Sequence, residues 1–149
     1  MTVRLSAKHL EEIRAHAERA YPHECCGLLV GRIEDEGRAR LVEELVPVEN
    51  TFDEGERHRR MLITPLEYAR AERLHAARGL GVVGNYHSHP NHPAVPSQFD
   101  LEHLAPWPTM SYVVVSVREG RAEDLRSWEL AADRSRFDEE EVAERGEAT

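Results

Sequence analysis

The chain has 149 residues, 40% of them hydrophobic and 32% charged, the length and balance of a single domain with a core of its own and a heavily charged surface. Its formal net charge of −9 argues against a nucleic-acid backbone or an anionic membrane as the main partner. No apolar run approaches the roughly 18 residues of a membrane helix, and the polar Met1–Ser6 start is no secretory leader, so a cytoplasmic protein is expected.

Taken in order, Ser6 is a good N-cap for a first helix, with Leu10, Ile13, Ala17 and Ala20 on one face and Pro22 as its stop. Gly27–Arg32 reads as a buried strand, Glu34–Gly37 as a solvated turn and Leu41–Val48 as the returning strand of a hairpin. A polar loop over Asn50–Glu56 precedes a short strand over Arg60–Ile63. Thr64-Pro65 opens a second helix, with Leu66, Ala69, Leu74 and Ala77 as its apolar face and Gly79 at its end. Leu80, Val82 and Val83 begin a buried strand that Pro90 ends, and a loop runs on to Pro96. A short helix follows from Ser97 to His103 or Leu104, broken by Pro106-Trp107-Pro108.

Met110–Val117 is nearly continuous in apolar, β-branched residues and reads as a central strand. Glu119-Gly120-Arg121 turns it into a partner over Leu125–Leu130. From Asp133 the chain is mostly charged and is expected to be a frayed helix or loose tail, which bounds the domain at 1–133 and the tail at 134–149. The order of elements predicts one α/β domain, a mixed central β-sheet flanked by helices.

The chemistry concentrates in Gly84-Asn85-Tyr86-His87-Ser88-His89-Pro90 and the residues up to Asp100. Alternate side chains of a strand share a face, so His87 and His89 project together and Ser88 points away. Ser97 caps the next helix and returns Asp100 from its first turn toward the strand's end. Two imidazoles and a carboxylate can hold one zinc ion and leave a fourth tetrahedral position for water, the mark of a catalytic site; the same donors also suit iron. Taken singly, Ser97-x-x-Asp100 is a helix-capping box and His-x-His a strand end. Their coincidence with a proline-punctuated loop favours a metal site. Peptide hydrolysis also needs a proton carrier, and Glu24, at the mouth of the Cys25-Cys26-Gly27-Leu28-Leu29 strand, is the candidate: partial burial would raise its pKa into a useful range.

Glu24-x-x-Gly27-x-Leu29-x-Gly31, with His87-Ser88-His89-Pro90 and then Ser97-x-x-Asp100, resembles the JAMM (MPN-plus) zinc metalloprotease signature. The resemblance covers nearly the whole domain and implies the JAMM/MPN, cytidine-deaminase-like fold. It implies one Zn2+ held by His87, His89 and Asp100, Glu24 as general acid/base, and Ser97 as a stabiliser of the oxyanion. It also implies cleavage of (iso)peptide bonds after the C-terminal Gly-Gly of a ubiquitin-like protein. The short His23-Glu24-Cys25-Cys26-Gly27 form with the Asn91-His92-Pro93-Ala94 loop is similar to the compact bacterial branch linked to ubiquitin-like sulfur carrier proteins. A Gly-Gly tail has no side chains and suits a narrow groove that grips backbone.

Asn50, Asn91 and His92 flank the presumed groove and are the expected substrate contacts, while His92 and His103 are spare imidazoles taken as rim residues. Cys25 and Cys26 are adjacent, unsuited to bridging one another, and are read as core residues against the alternative of a thiol nucleophile. Trp107 and Trp128 are expected in core or interface. The competing function is a non-enzymatic, metal-stabilised protein-binding module, and self-association as a homodimer is left open.

Overall fold

A computed structural model describes residues 1–103 and 109–145, with His103 by its backbone alone; the expected Pro106-Trp107-Pro108 helix break lies outside the described residues. Seven strands close into a barrel in the order β1-β3-β2-β4-β5-β6-β7. They are β1 (Thr2–Ser6), β2 (Cys26–Glu34), β3 (Ala39–Val48), β4 (Gly81–Pro90), β5 (Ser111–Arg118), β6 (Arg121–Leu130) and β7 (Phe137–Arg145), with helices α1 (Ala7–Ala20), α2 (Pro65–His75) and α3 (Gln98–His103). The sheet is mixed, as expected, with parallel pairs β1–β3, β1–β7 and β4–β5, but it curls until its ends meet. Among the described residues no helix is long and apolar enough to cross a membrane.

The first helix forms as its sequence dictates: Ser6 Oγ accepts the His9 N–H at 3.0 Å, and Ile13 and Ala17 are buried. They pack with Leu29, Val42, Val83, Tyr86 and Val113 in one core cluster. Leu28 and Val30 turn to a second cluster with Tyr68 and Ala71 of α2. Strand β2 is therefore covered on both faces, which explains its unbroken apolar run. Gly27 is required by a close approach, since a Cβ there would collide with the ring of Tyr86.

Three expectations are corrected, and one further strand is added. Thr2–Ser6, to which the sequence reading gave no element, is a strand: Val3 and Leu5 alternate into the core with no exposure, and β1 is hydrogen-bonded on both edges. The α2 face is rotated from the expected one. Leu66 and Leu74 are exposed, while Tyr68, Ala71 and His75 are buried. The buried tips find partners, with Asn85 Nδ2 donating to Tyr68 Oη at 2.9 Å and His75 Nε2 lying 2.8 Å from Glu44, so aromatic bodies fill space that aliphatic residues were expected to fill. Arg60–Ile63 is not a strand; Met61 and Ile63 are buried, but the Arg60 carbonyl accepts from the Asn50 side chain and not from a ladder.

The third correction concerns the charged C-terminal stretch, in which Phe137–Arg145 is β7, antiparallel to β6 and parallel to β1. The sheet thus runs past the expected 133/134 boundary. Glu140 points inward, accepts the Ser127 hydroxyl at 2.6 Å and faces the buried Arg40 guanidinium at 3.4 Å. A strand paired on both edges gains its place from backbone ladders, and one inward acid with partners satisfies the rest.

Candidate metal centre

Strand β4 delivers His87 and His89, both buried, to the end of the barrel where α3 begins. Ser97 caps α3 reciprocally: Asp100 N–H donates to Ser97 Oγ at 3.1 Å, and Ser97 N–H donates to Asp100 Oδ2 at 2.8 Å. The cap aims Asp100 Oδ2 back at the strand, 3.2 Å from His87 Nε2 and 3.1 Å from His89 Nε2, while the two Nε2 atoms stand 3.1 Å apart. One face of a tetrahedron around zinc has edges of roughly 3.3 Å, given ligand bonds of about 2.0–2.1 Å. The triangle is close to that size.

The Pro93 carbonyl, 2.9 Å from His89 Nδ1, has no proton to give, so the ring donates from Nδ1 and keeps its Nε2 lone pair toward the cluster. A single ring proton serves only one of the three contacts. A cation at their centre satisfies all three donors, and the donor set fits one. Burial would push Asp100 up, but His87 and His89 hold its carboxyl well below the usual range. Burial pulls His89 down, and the hydrogen bond and charge of Asp100 outweigh it, leaving the ring raised.

Glu24 sits just before β2, whose Cys26 pairs with His87. It is buried, its Oε1 has no hydrogen-bond partner, and burial, reinforced by the Asp100 charge and offset by His89, pushes its carboxyl up to about 8. Ligand atoms of Glu24, His87 and His89 all lie within 4.8 Å of one another. Two triads therefore share the histidines. The one with Asp100 has the tighter edges, which suit direct coordination, and Glu24 stands where it can reach a molecule held by the other three.

Of the expected substrate contacts, His92 lines the site cavity of about 410 Å³ together with Glu24, His89, Ser97 and Phe99. His92 and Pro93 also border a neighbouring cavity of about 510 Å³ that Asn91, Ser116 and Glu119 line. The two asparagines have other tasks. Asn50 Nδ2 donates to the Glu24 and Arg60 carbonyls at 3.0 and 2.9 Å, and its Oδ1 accepts from Phe52 N–H. Asn91, at a φ of 57°, donates to Tyr21 Oη and accepts from Glu119 N–H, both at 2.9 Å. Each uses its amide to hold a loop, and Asn91 also lines the neighbouring cavity.

Cys25 and Cys26 are buried, and burial pushes the Cys25 thiol up to about 11 and Cys26 higher still, which removes the thiolate a nucleophile needs. Trp128 donates to the Ala94 carbonyl at 3.0 Å and so fastens the 91–97 loop. The His103 side chain, the other spare imidazole, lies outside the described residues. Two contributors were missed by sequence reading. Ser88, expected to point away from the histidines, is buried and accepts the Cys25 N–H at 2.8 Å, tying the residue after Glu24 to β4. Arg60, read as strand, lies at the rim with its guanidinium 4.5 Å over the Phe99 ring. The only signal for Ser88 was its place between the ligands; for Arg60 there was none, since its partner is 39 positions further on.

The fold and site together define a small mixed barrel that gathers a His-x-His strand, a capped aspartate and a buried glutamate, a set compatible with a metal ion. The profile of prokaryotic homologs of the JAB domain matches residues 6–131. The chain belongs to this prokaryotic JAB (JAMM/MPN) family. It is 35% identical over 113 residues to a probable TtuB-protein conjugate cleaving protease of Thermus thermophilus, covering 76% of this chain and 69% of that one. It is 36% identical over 116 residues to a CysO-cysteine peptidase of Mycobacterium bovis, covering 78% and 74%. Among solved structures it is similar to a Desulfitobacterium hafniense protein at a TM-score of 0.81 and 34% identity, over 99% of this chain and 94% of that one.

Proposed function

We propose that the protein is a cytoplasmic, zinc-dependent peptidase that cuts the peptide or isopeptide bond after the C-terminal Gly-Gly of a ubiquitin-like sulfur carrier protein. The observation that carries this reading is the triangle of His87 Nε2, His89 Nε2 and Asp100 Oδ2 with an unpartnered buried Glu24 beside it. The ion these three would hold supplies, when bound, an acidified water and a polarised carbonyl. Glu24 takes the proton of the attacking water and hands it to the departing amine, a role its raised pKa suits. Ser97 directs its hydroxyl proton at the carbonyl oxygen as negative charge develops there.

The carrier tail enters extended, past His92 and Pro93, where the two cavities meet. The names of the Thermus and mycobacterial relatives support this substrate class, one by a protein conjugate and the other by a cysteine adduct. Ligands borne by a strand and by the first turn of the following helix support the cytidine-deaminase-like classification as part of the same reading.

The test is metal analysis together with an assay on CysO–cysteine. Glu24→Gln retains the metal and loses cleavage by at least about a hundredfold, the scale of general acid–base catalysis. Undiminished cleavage by Glu24→Gln refutes the proton-carrier role, and iron in place of zinc corrects the metal.

A further inference from the structure

We propose that Arg60 reads the free α-carboxylate of the residue being released, so that the site prefers a single amino acid joined through its α-amine over a lysine isopeptide. The inference rests on the peptidase reading above and specifies its leaving group. Arg60 lines the same cavity as Glu24, His89 and Ser97. Three contacts fix it there: its carbonyl accepts from Asn50, its guanidinium lies over Phe99, and Phe99 meets Phe52 edge-on with ring centroids 5.7 Å apart. Among the described residues it has no ion pair, whereas neighbouring Arg59 is engaged by Glu56 at 2.6 Å. A stacked guanidinium keeps its N–H edges available for a carboxylate in a planar, paired geometry.

The Gly-Gly tail offers this cation only amides and carbonyls. The anion that the reaction itself brings to this cavity is on the other side of the scissile bond. A residue attached through its α-amine carries a carboxylate one carbon from the departing nitrogen; a lysine attached through its side chain does not. In the step itself the glycine C–N bond breaks, the hydroxyl of water joins the glycine carbonyl carbon, and its proton goes to the leaving nitrogen. A glycine carboxylate and a free amino acid result, with no change in oxidation state.

Three substrates decide the matter: CysO–cysteine as the free acid, the same conjugate as its C-terminal carboxamide, and CysO joined to the ε-amine of a lysine peptide. The wild-type protein is expected to favour the acid over the carboxamide by roughly 10- to 100-fold in kcat/KM, the scale of one charge-assisted pair. Arg60→Ala should bring that ratio near one by lowering only the acid, and Arg60→Lys should restore part of it. Calorimetric binding to Glu24→Gln protein should show the same acid-over-carboxamide preference without turnover. Equal loss on acid and carboxamide in Arg60→Ala, or a wild-type ratio near one, overturns the proposal. Failure of the wild-type protein to cut any of the three sinks the peptidase reading, and the binding ratio then still decides the role of Arg60.

Discussion

Ser97 accepts the Asp100 N–H with an oxygen lone pair, so the proton of its own hydroxyl is not used by the cap. The same group can fasten α3 and stabilise an oxyanion, and the two tasks separate by mutation. Glycine is nearly as good an N-cap as serine, at a cost of a few tenths of a kcal/mol. Ser97→Gly should therefore leave the melting temperature almost unchanged while lowering kcat by roughly 10²–10³, the loss expected for one oxyanion donor. A kcat within about twofold of wild type would leave Ser97 with the cap alone. At this scale the convergence of His87, His89 and Asp100 was readable from the sequence, because strand alternation and a capped first turn are local geometry. Arg60 was not readable, since what makes it distinctive is Phe99, a contact made only by folding.

At the scale of elements, β7 is held by a polar cluster as well as by its ladders. Arg40 donates to the Thr109 carbonyl at 2.8 Å and to Ser111 at 3.1 Å, and lies 3.4 Å from both Glu129 and Glu140. Removing Glu140 takes away one of the two carboxylates that face Arg40, a residue only 2% exposed, and leaves it Glu129. Glu140→Ala should destabilise the protein by about 1–3 kcal/mol in urea titration, the cost of leaving buried donors short of an acceptor. A loss below about 1 kcal/mol would mean that Arg40 finds other partners and β7 is held by its backbone alone. The acidic composition of 138–141 concealed this strand, since a charge run ordinarily marks solvated chain. The α2 face was concealed differently: Tyr68 and His75 belong inside only because Asn85 and Glu44 meet their polar atoms.

Over the whole molecule, the two largest core clusters are built from strands β1 to β5 with α1 and α2, and His87, His89 and Asp100 are not among their members. The fold is therefore expected to survive loss of an ion from that triangle. Chelation should lower the melting temperature by roughly 5–15 °C through lost ligand binding, with cooperative unfolding retained and activity abolished. A collapse to an unfolded chain without metal, together with no cleavage of any conjugate, would favour the metal-stabilised binding module instead. The preformed barrel also explains how Glu24 comes to the histidines across 63 positions: β2 and β4 are neighbours in the sheet, and Ser88 ties the residue after Glu24 to β4.

The sequence by itself determined whatever depends on residues a few positions apart: the caps at Ser6, Thr64 and Ser97, the β2–β3 hairpin, and the shared direction of His87 and His89. These follow from backbone geometry and side-chain chemistry alone. Tertiary structure decided the closure of the sheet through β1 and β7, the buried face of α2, the holding roles of Asn50 and Asn91, and the approach of Glu24 and Arg60 to the site. Those depend on pairings between distant segments, where a polar residue is buried or exposed according to the partner that packing brings to it.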